Sequence, residues 1–239
     1  MWLVLCTTDD LAALWAARGL AARGLQPLEV VTAEALAYNR KFEHRLISGR
    51  PSVRIELADG RVINGATVRG TINRMQIIPG SHLSTNSKDR QYAVQELTAL
   101  YLSWIYALPG KMLNRATPQG LGGAWRHPSE WSWLANQAGL ATPPYGQSDL
   151  RGAPMPYSLT HAGTHTIISI DGVCCGALAP AKVIAGCSRL SELSATKLLG
   201  VDFNLTPGGE WIFNKATPFP DLRIGGDRLL DALADSLKS

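Results

Sequence analysis

The chain has 239 residues, of which 46% are hydrophobic and 18% charged, and a formal net charge of +4. That length supports one large or two small domains with ample core, and the composition is that of a globular protein rather than a disordered one. Lysine and arginine are scattered rather than gathered into a phosphate-tracking stripe, which argues against nucleic acid as a partner, and no apolar run approaches membrane-spanning length, which argues against a membrane.

In chain order, Trp2 to Leu5 reads as a short buried strand. Thr8, Asp9 and Asp10 supply an N-cap and early acids for an Ala/Leu-rich helix through about Leu20, stopped near Gly24. Leu28 to Thr32 returns as a strand, so the first thirty residues form a βαβ unit with parallel pairing. No Gly-rich phosphate turn follows the first strand, which excludes a dinucleotide site there.

Ser52 to Leu57, then Asp59-Gly60, then Arg61 to Ile63 gives alternation on both sides of Asp-Gly and predicts a hairpin. Thr67 to Met75 is a further strand. Arg90 to Ala107 has helical apolar spacing along one broad face, and Leu108-Pro109-Gly110 ends it. Lys111 to Arg115 is a short strand and Ser129 to Gln137 a second helix. Trp125, Trp131 and Trp133 gather near Arg126 and His127, where they suit either stacking on a ligand or filling the core.

Pro144 to Thr166 is rich in Pro and Gly and contains no lysine. Thr164 to Ile170, Asp171-Gly172 and Val173 to Leu178 predict another hairpin, and Ser188 to Leu199 a helix. Leu198 to Phe203 and Glu210 to Thr217, around Pro207-Gly208-Gly209, predict a third hairpin, and Asp227 to Leu237 a terminal amphipathic helix. His161 and His165 stand four apart, but Gly163 and the β-branched neighbours oppose a helix, so no zinc site is expected. No nucleophile-elbow pattern supports a hydrolase.

Cys6, Cys174, Cys175 and Cys187 lack Cys-x-x-Cys spacing and read as buried free thiols, which suits a reducing cytosol. Met1 to Leu5 is too short for a signal h-region, so a cytoplasmic protein is expected.

The closing hairpin resembles the end of ATP-grasp ligases, the family of glutathione synthetase and of ligases that modify ribosomal peptides. In that family a Gly-hydrophobic-Asp strand is followed by a strand ending in Glu-x-Asn-Pro, whose Asp, Glu and Asn hold magnesium on the ATP phosphates. Here Gly200-Val201-Asp202 matches the first element, but Lys215 stands for the Glu and Thr217 for the Asn. The resemblance extends to the βαβ start, to Asn73-Arg74, to Lys111 to Arg115, which looks like the family's short strand with Asn-Arg-Pro but has Ala116 in place of the proline, and to Gly139-Leu140-Ala141-Thr142-Pro143. It implies an α/β protein, with a βαβ-containing amino-terminal domain (1–110) and a reduced ATP-grasp-like α+β part (111–239). The central lid, with its two phosphate-gripping lysines, has no room between Pro144 and Thr166.

Two functions are implied. One is a noncatalytic pseudo-ligase without cofactor, metal or catalytic residues, similar to the peptide-binding proteins of crocagin biosynthesis. It would hold a ribosomally made precursor peptide, by leader or core, for partner biosynthetic enzymes. Strand addition to an exposed sheet edge is the expected mode, and a homodimer is expected because such edges also self-pair. Arg69, Arg74, Trp125, Arg126, Tyr157 and His165 are the candidate peptide contacts, Arg74 because a guanidinium offers two parallel donors. The other is a divergent ATP-dependent carboxylate-amine ligase, with Lys111, Lys182 and Lys215 on phosphates.

Overall fold

The computed structural model describes residues 1–79, 86–145 and 164–239, excluding the side chains of Arg50 and Ser87. The chain divides into two compact units, one of residues 1–125 with 233–239 and the other of residues 126–232.

In the first unit, β1 (Trp2–Cys6), α1 (Leu11–Ala22) and β2 (Leu28–Thr32) form the βαβ start, with β1 and β2 parallel from Trp2 opposite Leu28 to Cys6 opposite Thr32. Asp10 caps α1 by accepting from the Ala13 amide at 2.9 Å. A short helix, α2 (Ala33–Ala37), follows. β3 (Lys41–Ile47), β4 (Arg50–Glu56) and β5 (Val62–Asn64) make a small antiparallel sheet in that order. β6 (Gly70–Asn73) returns beside β1, α3 (Ser87–Ala107) crosses over, and β7 (Lys111–Leu113) completes a parallel sheet of order β2-β1-β6-β7.

The connection from β2 to β6 passes across β1, so strand order reverses between β1 and β6. In open α/β sheets the crevice at such a reversal, beyond the carboxyl ends of the strands, is the usual ligand position. The core of this unit joins Leu3 and Leu5 of β1, Val53, Ile55 and Ile63 of the small sheet, and Tyr101, Trp104 and Ile105 of α3. Phe42 of β3 stacks on Tyr101 and meets Trp104 edge-on, at centroid distances of 5.8 and 5.9 Å. The turn into β7 demands glycine: Gly110 has φ +78°, and a Cβ there would lie 2.1 Å from the Arg69 carbonyl oxygen. Residues 111–125 cluster with this unit because β7 pairs with β6 and the Asn73 amide donates to the Asn114 and Leu121 carbonyls.

The second unit contains α4 (Pro128–Gln137), β8 (Thr164–Ile170), β9 (Val173–Gly176), α5 (Ala181–Leu193), β10 (Leu198–Leu205) and β11 (Trp211–Thr217). Its sheet is antiparallel throughout, in the order β11-β10-β8-β9. Its core gathers Trp131 and Leu134 of α4, Cys187 and Leu190 of α5, and Ile167, Val201, Phe203 and Phe213 of the sheet. The last helix, α6 (Gly226–Lys238), runs through the boundary at Leu233. Between α4 and β8 the described residues 138–145 carry one isolated bridge, at Ala141, and no lid sheet.

Two sequence expectations change. The helix expected over Ser188 to Leu199 is α5, which begins seven residues earlier after Pro180 and stops before Ala195, a residue at φ +51°. Leu198 and Leu199 belong to β10 instead, both fully buried in sheet pairing with β8. The strand β3 was not anticipated. Its alternation of Phe42, His44 and Leu46 with Lys41, Glu43 and Arg45, ahead of Ser48-Gly49, is the signal that marks it.

Candidate functional site

The resemblance drawn from the sequence puts the expected magnesium ligands on the carboxy-terminal hairpin. Asp202 on β10 lies directly opposite Lys215 on β11, and a register shift immediately after Asp202 sets the following pair to Phe203 and Phe213. Lys215 Nζ is 3.5 Å from Asp202 Oδ2, while the Thr166 hydroxyl donates to Asp202 Oδ1 at 2.6 Å. Both carboxylate oxygens are thus engaged by protein donors. Thr217 Oγ1 accepts from the Phe219 amide at 3.1 Å, so it serves a local turn.

Magnesium requires a near-octahedral shell of hard oxygens, normally with one or two carboxylates. An ammonium at a ligand position repels the divalent ion by several kcal/mol even at an effective dielectric of about 20. The residues present therefore do not fit a metal-bridged nucleotide at this hairpin. Among the described residues no three His, Cys, Asp or Glu side chains gather elsewhere into a cation site.

His165 stands beside this position on β8, opposite Phe203, with its ring 5.3 Å from that of Trp211. Trp211 also packs edge-on against Phe203 at 5.5 Å. The half-buried imidazole is one part of an aromatic cluster on the sheet. Arg126, at the start of α4, has one Nη on Glu130 and the other donating to the Ser194 carbonyl at 2.9 Å, with its guanidinium 5.7 Å from the Trp131 ring centroid. It fastens α4 to the end of α5. Tyr157 and His161 lie outside the described residues.

In the first unit Arg69 and Arg74 flank β6. Arg69 is exposed, whereas Arg74 is 4% exposed. Arg74 Nε and Nη2 donate to Asp10 Oδ2 and Oδ1 at 2.6 and 3.2 Å, and its backbone amide donates to the Leu5 carbonyl at 2.7 Å. The fork expected to receive a ligand's carboxylate is instead occupied by a carboxylate of the chain itself, beside the strand reversal. Its place is to hold the end of β1 to the end of β6. Trp125 is 69% exposed, and Trp133 is exposed too, whereas Trp131 is core.

An apolar groove of about 750 Å³ lies between the small sheet and α3. His44, Leu46 and Pro51 form one wall, and Ala99, Leu102 and Tyr106 the floor. The cause is geometric. Phe42, Val53 and Ile55 pack on Tyr101 and Trp104, but the β3–β4 hairpin continues past that core, leaving Leu46 76% exposed opposite a Tyr106 that is 68% exposed. Arg115 lies at the rim: its guanidinium is 6.0 Å from the Tyr106 ring centroid and donates to the Tyr106 carbonyl at 3.0 Å. An apolar trough with a cation at its lip suits a linear segment of apolar residues with acidic neighbours. None of the five described sequence candidates, Arg69, Arg74, Trp125, Arg126 and His165, lines it.

No family model matches the chain, and no curated protein sequence does. Solved structures are similar over the whole chain. The macrocyclase MdnC from Microcystis aeruginosa, bound with the precursor peptide MdnA, aligns with a TM-score of 0.75 and 12% identity, covering 100% of both chains. A RiPP-associated ATP-grasp ligase from Chryseobacterium gregarium, in complex with ADP and a leader and core peptide, aligns with a TM-score of 0.70 and 10% identity, covering 99% of this chain and 96% of that one. D-alanine-D-alanine ligase from Aeromonas hydrophila gives a TM-score of 0.52 and 14% identity with 100% coverage of each. The chain has the fold of the ATP-grasp ligases, including those associated with ribosomally made peptides.

Proposed function

We propose that this protein is a noncatalytic holder of a ribosomally made precursor peptide, working beside partner enzymes of a natural-product pathway in a reducing, cytoplasmic setting. The observation that carries this reading is the Lys215 ammonium on Asp202, where a metal-bridged nucleotide needs a second carboxylate. Support comes from the shared fold with a macrocyclase bound to its precursor peptide and with a ligase bound to leader and core peptides.

The apolar groove beside α3 is the proposed seat for the peptide's hydrophobic side chains, with Arg115 drawing an acidic neighbour. Exposed Arg69 and Trp125 are secondary contacts in this reading, while Arg74 and Arg126 act by bracing the frame. The holder works as a homodimer.

Calorimetric titration tests it, using Mg-ATP and, separately, synthetic peptides from short reading frames encoded beside the gene. Micromolar peptide binding, unchanged by Mg-ATP and without nucleotide heat, is the expected result. Micromolar Mg-ATP binding by the isolated chain would overturn it in favour of a divergent carboxylate-amine ligase.

A further inference from the structure

We infer that the outer edge of β3 pairs with β3 of a second copy of this chain, antiparallel and centred on His44. The inference names the surface of the proposed homodimer, and it does not depend on which peptide is held.

β3 ends its sheet, and among the described residues no strand and no backbone hydrogen bond reaches it from the outer side. The β3–β4 turn fixes which groups face outward. Ser48 and Gly49 are the two loop residues, both at positive φ (52° and 74°), between the paired residues Ile47 and Arg50. This is a two-residue loop of the I′ kind, whose closing pair exchanges both backbone hydrogen bonds. Alternation then turns the amides and carbonyls of Ile47, Arg45, Glu43 and Lys41 toward β4, and those of Leu46, His44 and Phe42 outward.

A symmetric pair of identical edges must run antiparallel about a twofold axis. Three registers match outward groups with outward groups over at least two residues. Centring on residue 43 sets Glu43 against its own copy, and centring on residue 45 sets Arg45 against its own copy. Like charges directly opposite are unfavourable in both. Centring on His44 instead pairs Phe42 with Leu46 of the second copy, His44 with His44, and Leu46 with Phe42, so all three outward residues of each strand are bonded. On the opposite face the same register sets Glu43 against Arg45 in both directions and Lys41 against Ile47. The register with the most backbone bonds is therefore also the one with complementary charge.

Exposure points the same way. Leu46 and Ile47 are 76% and 57% exposed, an apolar load that an unpaired edge strand does not usually carry. Within one chain Glu43 already meets Lys41 and Arg45 at 3.1 and 2.5 Å, so the second copy adds a guanidinium to a carboxylate held in place.

Sedimentation equilibrium of the full chain, without peptide, tests the inference. The wild type is expected to be a dimer at micromolar concentration. R45E and E43R, each folded by circular dichroism, should raise the dimer dissociation constant at least about tenfold, since two attractive cross-strand pairs become repulsive. The double variant E43R/R45E should restore dimerisation. A monomeric wild type, or a dimer indifferent to these exchanges, overturns the inference. So does a monomer whose His44→Pro variant loses peptide binding, which would give this edge to the peptide. Failure of the peptide titration leaves the sedimentation result standing, so the two readings fail separately.

Discussion

Lys215 faces Asp202 across the β10–β11 pair with Nζ 3.5 Å from the carboxylate, and the Thr166 hydroxyl holds the second oxygen of that carboxylate at 2.6 Å. The pair sets a single, covalently attached positive charge against the Asp202 carboxylate. Lys215 is two-thirds exposed, so the contact itself contributes at most about 1 kcal/mol to stability. Its consequence is chemical: the carboxylate is neutralised without a metal.

Replacing that lysine by an acid should therefore create cation affinity. K215E sets two carboxylates opposite each other, with Thr166 beside them. Millimolar Mn2+ is expected to raise the melting temperature of K215E by several degrees and leave the wild type unchanged. Differential scanning fluorimetry with and without EDTA reads the difference.

Breaking the buried pair of Arg74 and Asp10 should be costly. Their side chains are 5% and 11% exposed, so removing either one strands a charge away from water. D10A or R74M should each lose about 3–5 kcal/mol of unfolding free energy in urea. The double variant D10A/R74M should lose clearly less than the sum of the two, retaining mainly the cost of the lost α1 cap, about 1 kcal/mol.

Stability should fall on the alkaline side. Burial pushes the Cys6 thiol up to about 12, with the nearby Asp10 carboxylate reinforcing it, and burial also raises the Cys187 thiol. Burial pushes the Tyr101 hydroxyl up to about 12 as well. The unfolded chain releases these protons near 9.0 for the thiols and 10.0 for the phenol, whereas the folded chain keeps them. Stability from these groups is thus whole below pH 9 and declines as pH rises from there toward 12. Urea midpoints at pH 7.5, 9 and 10.5 should decline in that order, and Cys6 and Cys187 should resist alkylation at pH 8 until urea is added.

The turn into β7 should tolerate no side chain. G110A combines a left-handed backbone with a methyl group 2.1 Å from the Arg69 carbonyl oxygen. A loss of at least ~2 kcal/mol is expected, read from the chemical denaturation midpoint.

In the groove, Tyr106 is exposed and supports no core contact named above, so Y106A should leave the melting temperature within about 2 °C of wild type. Peptide affinity should weaken about tenfold, the usual effect of truncating an aromatic anchor. Unchanged affinity would remove the groove from the proposed site.

Strands and helices with a single strong period were legible in the residues. β1, α1 and β2 stand where alternation and the Asp10 cap placed them, and the Asp59-Gly60 and Pro207-Gly208-Gly209 turns do join strands. That Lys215 and Thr217 stand where the resembled motif carries Glu and Asn was also legible, because a difference of residue type needs no coordinates. β3 escaped notice because an edge strand protected by alternating charges has the composition of a solvated loop. The extent of α5 was misread because Ser188 to Leu199 carries both the end of a helix and the start of a buried strand.

The sequence by itself determined the βαβ start, the Asp59-Gly60 and Pro207-Gly208-Gly209 turns, the basic and hydroxyl side chains at positions 215 and 217, and four cysteines without paired spacing, since each follows from local chemistry and short-range periodicity. Only the tertiary structure decided which groups meet. Asp10 reaches Arg74 across 64 positions of chain, Lys215 faces Asp202 through one particular register, and β3 with α3 leaves a groove beyond their shared core. Those outcomes depend on strand pairing and on where packing runs out, which are properties of elements brought together rather than of any one stretch.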